Sequence, residues 1–124
     1  MQLEEKEDKI MAQMESKTEI VASTEQFDVV KSYEPDGETV YNLYLGKVTV
    51  NFFTEEWDEF LDFADEVVKI PIGMTGTIAE TESYLAACEE VDGDIIYSIE
   101  MPGATLFFFE DDWKEVIDLL KGLK

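Results

Sequence analysis

The feature that most constrains this chain is that it carries one segment twice. A pattern beginning near Phe27 returns about 56 residues later with its features in the same order, which marks a tandem structural unit. Glu34, Asp36 and Gly37 correspond to Glu90, Asp92 and Gly93, and Tyr41 corresponds to Tyr97. Gly46 matches Gly103 if one residue is inserted at Pro102, and Phe52 then matches Phe109. A compensating deletion near Phe53 brings Trp57, Glu59 and Asp62 opposite Trp113, Glu115 and Asp118. A unit of about 50 residues is marginal by itself, so two such units are expected to share a core.

Within each copy the local signals give three strands and a helix. Tyr41, Leu43 and Leu45 alternate at the period of a strand, Gly46-Lys47 makes a reversal, and Val48 to Phe52 alternates again, which is the sequence form of a hairpin. In the second copy Asp94 to Ile99 and Thr105 to Phe109 flank the turn Met101-Pro102-Gly103-Ala104. Ahead of each hairpin, Phe27 to Tyr33 reads as a strand. Its counterpart from Ser83 to Glu90 has alanines and glutamates that favour helix, but the repeat assigns it to strand.

Each unit closes on an amphipathic helix. Thr54 is placed as N-cap, with Glu55, Glu56 and Asp58 in the first turn, where the helix dipole favours negative charge. Trp57, Phe60, Leu61, Ala64 and Val68 make the buried stripe, repeated by Trp113, Val116, Ile117 and Leu120. Burying one such stripe contributes on the order of 6–10 kcal/mol before entropy is subtracted. The expected fold is therefore α+β: a βββα unit in tandem, pseudo-twofold, behind a weakly structured acidic N-terminal segment. Residues 1–18 form that segment, as weak helix or disordered chain. Residues 19–70 are the first repeat, 71–82 a linker with a short strand near Thr77 to Glu80 as an option, and 83–124 the second repeat. One continuous sheet and two layers both satisfy this pattern.

Charge is the second constraint. Thirty Asp and Glu stand against nine Lys, with no Arg and no His, for a formal net charge of -21 over 124 residues. Such a potential repels phosphate backbones and anionic membranes and attracts basic protein surfaces. The single cysteine, Cys88, cannot form an internal disulfide, and no stretch reaches the roughly eighteen apolar residues of a membrane span. A cytoplasmic location is the expectation.

Without His, the chain lacks the side chain that most often performs acid-base chemistry near neutrality. Any catalytic pair drawn from thirty carboxylates would be arbitrary, and Cys88, in an apolar stretch with no base to activate it, reads as a core thiol. The acidic turns around Gly37 and Gly93 do not fit a calcium loop: with glycine at the sixth position, Ser32 or Cys88 falls at the first and Leu43 or Ile99 at the twelfth. Gly73-Met74-Thr75-Gly76-Thr77 lacks the lysine of a phosphate loop. The chain is thus read as no enzyme, with no metal site and no cofactor.

What stands out is surface. Glu55, Glu56, Asp58, Glu59, Asp62, Asp65 and Glu66 form an anionic ridge on the first helix that has no Lys at i+4 except Lys69 after Asp65, although like charges at that spacing weaken a helix. Asp111, Asp112, Glu115 and Asp118 continue it on the second helix, interrupted by Lys114 and Lys121. In the last strand Leu106 and Phe108 face away from Phe107 and Phe109, so both faces are apolar. The second sheet face is expected to be covered by the other repeat, the N-terminal segment or another subunit. The leading functional expectation is a protein-binding module that presents carboxylates to a basic surface, as a nucleic-acid-mimicking inhibitor or regulator would. A structural subunit dimerising through the apolar sheet face is an alternative.

A further alternative comes from the strand-to-helix junction Thr54-Glu55-Glu56-Trp57. With strands before it and a helix after, it resembles the closing junction of the PC4-like transcriptional coactivators. The resemblance covers these junctions and the order of elements, and it implies single-stranded nucleic acid bound through Lys, Arg and aromatics on the sheet. Here Lys31 and Lys47 are the bases near the first sheet, and Ala104 stands opposite the latter in the second. The charge balance therefore sets this reading below protein binding.

Overall fold

A computed structural model describes residues 17–123 of the chain. Two four-stranded antiparallel sheets, each with its strands side by side in sequence order, alternate with two helices. The first sheet comprises β1 (Lys17–Ser23), β2 (Phe27–Tyr33), β3 (Thr39–Leu45) and β4 (Val48–Phe53), followed directly by α1 (Thr54–Val68). The second comprises β5 (Gly76–Glu80), β6 (Leu85–Val91), β7 (Asp94–Met101) and β8 (Ala104–Phe109), followed by α2 (Glu110–Lys121). Of the segment from Ser83 to Glu90, the residues from Leu85 on are strand rather than helix, as the repeat required, while Ser83 and Tyr84 belong to the turn before it.

The unit has four strands, not three. The extra ones are β1, which begins within the last two residues of the 1–18 segment expected to be weakly ordered, and β5, which falls where the linker had the option of a short strand near Thr77 to Glu80; the rest of the N-terminal segment, residues 1–16, lies outside those described. Both extra strands escape a period-two reading for one reason. Each carries an irregularity in its pairing with the next strand, between Ile20 and Ala22 in β1 and between Thr77 and Ala79 in β5. The additional residue, Val21 or Ile78, shifts the side-chain phase halfway along the strand, so no alternation survives in the sequence.

Register also corrects the alignment of the copies. Tyr41 pairs with Phe52 and Tyr97 with Phe108, so Phe52 is equivalent to Phe108 rather than Phe109. Leu45 pairs with Val48 and Met101 with Ala104, leaving the two-residue turns Gly46-Lys47 and Pro102-Gly103. The hairpins match without gap, the glycine merely taking the first turn position in one and the second in the other. The true length difference lies earlier. Val91 pairs with Asp94 across Asp92-Gly93, both at positive φ, as a type I′ turn requires; between the equivalent pairs, four residues separate Glu90 from Ile95 and five separate Tyr33 from Thr39. Glu34 is consequently the counterpart of Val91, not of Glu90.

Both tryptophans occupy the same place. Trp57 stacks on Tyr41 at 4.5 Å between ring centroids, and Trp113 stacks on Tyr97 at 4.9 Å, each pair within 10° of parallel. Each indole is nearly enclosed between its own helix and the inner face of its own sheet. The helices, however, do not confine themselves to their own units. α1 packs on β3 and β4 and also on β5; α2 packs on β7 and β8 and also on β1 and β2; the helices touch each other. Tyr84, in the turn between β5 and β6, meets the rings of Phe60 and Phe63 edge-on or tilted, both at 5.5 Å. One core therefore runs through both units.

This crossing broadens the buried helix stripe. Trp57, Phe60, Phe63, Ala64 and Val67 are buried on α1, while Leu61 and Val68, expected at its centre, are half-buried beside it. A helix wedged among its own sheet, a foreign strand and another helix must be apolar over a wider arc than one lying on a single sheet. The helix start is displaced by one residue as well. Phe53, not Thr54, is the N-cap, and its N–H donates to Glu56 Oε1 at 3.1 Å, so a carboxylate three residues on satisfies an otherwise unpaired donor.

Candidate binding surfaces

The eleven carboxylates expected to act together separate into groups. Glu55, Asp58, Asp62, Asp111, Asp112 and Asp118 are exposed along α1 and α2. Glu56 is exposed but engaged at the start of α1, and Glu66 lies 3.4 Å from Lys69 Nζ. Asp65 is half-buried beside a cleft between the helices lined by Leu61, Leu120 and Leu123.

Glu59 and Glu115 are not display residues. Thr81 Oγ1 and the Ser83 N–H both donate to Glu59 Oε2 at 2.7 Å, and Ser83 Oγ donates to Oε1 at 2.9 Å. In the other direction, Thr24 Oγ1 and the Gln26 N–H donate to Glu115 Oε2 at 2.6 and 2.7 Å, and Gln26 Nε2 donates to Oε1 at 2.8 Å. Each helix thus holds the turn between the first two strands of the opposite unit. The hydrogen bond from Thr81 is the main cause that holds the Glu59 carboxyl below its usual range, with the Ser83 N–H behind it. Burial pushes Glu115 up, but the donors from Thr24 and Gln26 together outweigh it and leave that carboxyl lowered too.

These contacts had a sequence signal: Thr24-Glu25-Gln26-Phe27 recurs as Thr81-Glu82-Ser83-Tyr84. The two segments form the same turn, with the Thr N–H donating to the carbonyl of the aromatic residue at 2.8 Å in both. Starting the repeat at Phe27 hides that correspondence, because the residues that Glu59 and Glu115 engage lie just before it.

The sheets have inner faces toward the helices and outer faces away from them. On the second sheet Leu106 and Phe108 turn inward, while Phe107 and Phe109 turn outward and are 70% and 63% exposed. The other repeat therefore does not cover this face, contrary to one of the expected arrangements. Its helices lie on the inner side. Val91, Ile96, Ser98 and Glu89 join the two rings around an open groove of about 200 Å³. The corresponding face of the first sheet is different. Ser32 and Asn42 are buried there, with Asn42 Nδ2 donating to Ser32 Oγ at 2.8 Å and to the Val30 carbonyl at 3.2 Å, and Asn51 stands where Phe107 stands in the second unit.

Other titratable groups are structural in setting. Burial, reinforced by the nearby Glu59 and Glu56 carboxylates, pushes the Tyr84 phenol up to about 12. Tyr97 is likewise raised by burial, and its hydroxyl accepts the Gly73 N–H at 2.9 Å. Lys31 lies over the rings of Tyr33 and Tyr41 at 4.8 and 5.6 Å. Cys88 is fully enclosed on the inner face opposite Tyr97. Among the described residues no group of three or more metal-ligating side chains converges, and no helix is long and apolar enough to cross a membrane.

Comparison with models of protein families, with curated proteins and with solved structures finds no match to this chain.

Proposed function

We propose that this protein is an acidic protein-binding module whose partner presents a basic surface. The observation that carries the reading is the set of exposed carboxylates on α1, from Glu55 through Asp58 to Asp62, on a helix that carries no basic residue. Such a helix bears the cost of unrelieved repulsion, and its buried side is anchored by Trp57, Phe60 and Phe63, so the charges sit on a rigid support. Charge of one sign on a firm scaffold accelerates encounter with an oppositely charged partner and rejects anionic ones. A regulator that occupies a nucleic-acid-binding surface would have this form.

The test is retention of lysate proteins by the immobilised chain at low and raised salt, set beside a variant carrying D58N and D62N. Proteins retained at low salt, released by salt and lost with the variant are the expected result. Retention of nothing, or of nucleic acid alone, would overturn the reading.

A second reading, single-stranded nucleic acid binding, is supported by one observation. In each unit a helix follows the last antiparallel strand at once, the element order that the coactivator resemblance implies, and Phe53 and Phe109 are exposed at the ends of those strands. Rings on an open sheet can stack bases. The absence of any basic residue from β5 to β8 weighs against it.

A further inference from the structure

We infer that the outer face of the second sheet is the contact surface for a lysine- or arginine-rich peptide segment carrying apolar side chains, an inference that deepens the proposed function and rests on it. At the centre of this face Phe107 and Phe109 stand exposed beside Ile96 and Val91, around the groove of about 200 Å³. Exposed rings cost free energy in water, and contiguous exposure of this kind on a folded domain marks a contact surface.

Charge selects the occupant. Glu89 lines the groove, and Glu80 and Glu100 are exposed on the same face, alternating with inward-facing Ala79, Ile99 and Met101. Between Lys69 and Lys114 the chain has ten carboxylates and no basic residue. A second copy would set the same carboxylates face to face, well inside the roughly 8 Å screening length of physiological salt. A phosphate backbone meets the same repulsion. A guanidinium or ammonium gains twice, from the carboxylate rim and from the ring faces.

The doubled fold supplies its own comparison. At equivalent outer positions the first unit has Asn51 for Phe107, Ser32 for Glu89 and Glu34 for Val91; Phe53 and Val40 match Phe109 and Ile96, so the first unit keeps one exposed ring but not the pair. The scaffold needs none of Phe107, Glu89 and Val91 at these places, because the first unit folds identically without them. Their difference is what a binding role specific to the second sheet requires.

The test is fluorescence anisotropy of the full chain with four labelled probes: a peptide alternating Arg and Leu, an oligoarginine of equal charge, a peptide alternating Glu and Leu, and oligothymidylate. The Arg–Leu peptide is expected to bind best, and F107N or F109A to weaken it at least about tenfold, as loss of a central aromatic anchor does. E25Q/E38Q, a charge change of the same size on exposed loops of the first unit, is expected to leave it within about twofold. Unchanged near-ultraviolet dichroism shows that the exposed-ring variants keep the fold, and F109A serves if F107N does not. If D58N/D62N removes binding and neither ring variant does, the sheet assignment falls while acidic-helix binding stands. No preference for Arg–Leu over oligoarginine, no binding of either, oligothymidylate binding that depends on Phe107, or a dimer abolished by F107N would each overturn the inference.

Discussion

Glu59 and Glu115 are reciprocal across the two units: each reaches from its own helix to hold the first strand-to-strand turn of the other unit. Each accepts three hydrogen bonds, one of them from a backbone N–H that the turn leaves unpaired. A chain whose repeats were independent would have no use for this arrangement. The paired latches explain why α1 packs on β5 and α2 on β1 and β2, and why the two sheets behave as one body around one core.

Breaking a latch should therefore loosen the contact between units. E59A and E115A are each expected to lower the urea midpoint, with E59Q and E115Q intermediate, since an amide oxygen can accept from the turn but its NH₂ group cannot. Equilibrium unfolding followed by tryptophan fluorescence checks the order. Midpoints equal to wild type would mean that water serves these turns as well as the carboxylates do.

The same residues set an acid dependence. Both carboxyls are held below their usual value of 4.5, so their stabilisation is complete above that pH and disappears as pH falls through the lowered folded-state values. Protonation of the many surface carboxylates relieves repulsion at the same time, so the wild-type curve alone mixes two trends. The difference in melting temperature between wild type and E59Q/E115Q isolates the latch: it should be constant above the ordinary carboxylate range and close below it.

The two tryptophans should be interchangeable in cost. W57A and W113A each remove an enclosed indole stacked on a tyrosine, at about 3–5 kcal/mol apiece by the usual range for such truncations. Urea denaturation of both variants measures this, and a large difference between them would show that the units contribute unequally to the core.

Charge repulsion along α1 should be measurable. Asp58 and Asp62 are both exposed and one helical turn apart, so D62K replaces a repulsive pair with an attractive one and should stabilise by roughly 0.5 kcal/mol at low salt. Added salt should shrink the gain, because exposed pairs are screened. Melting temperatures of D62K and wild type across a salt series check both statements.

Cys88 should report on opening of the core. It is fully enclosed between strands, so an aromatic disulfide reagent is expected to modify it only as fast as β6 and β7 open to solvent. Modification rates followed against low denaturant would rise with unfolding. Immediate reaction in buffer would contradict the packing of the second sheet.

The residues most legible in the sequence are those whose role is local. Tyr41-Asn42-Leu43 alternates because a strand does, and Trp57 to Ala64 steps at helical intervals because one side of that helix is dry. The first strand of each unit was obscured by Val21 and Ile78, which break the alternation at equivalent points, so that β5 entered only as an option and β1 not at all. Gly46 and Gly103 invited an insertion because glycine marks a turn without saying which of its two positions it fills. The acidic ridge was legible as a list of carboxylates but not as a surface: a glutamate that serves a distant turn has the same local surroundings in sequence as one that faces water.

The sequence by itself determined that the molecule is a doubled unit of antiparallel strands closing on a Trp-anchored helix, with an excess of negative charge, because hydrophobic period and residue order are local properties. Only the tertiary structure decided that each helix reaches across to the opposite unit, that Glu59 and Glu115 are spent on turns rather than display, and that Phe107 and Phe109 face outward uncovered. Those outcomes depend on how the two sheets meet, and no local period encodes the contacts between segments distant in the chain.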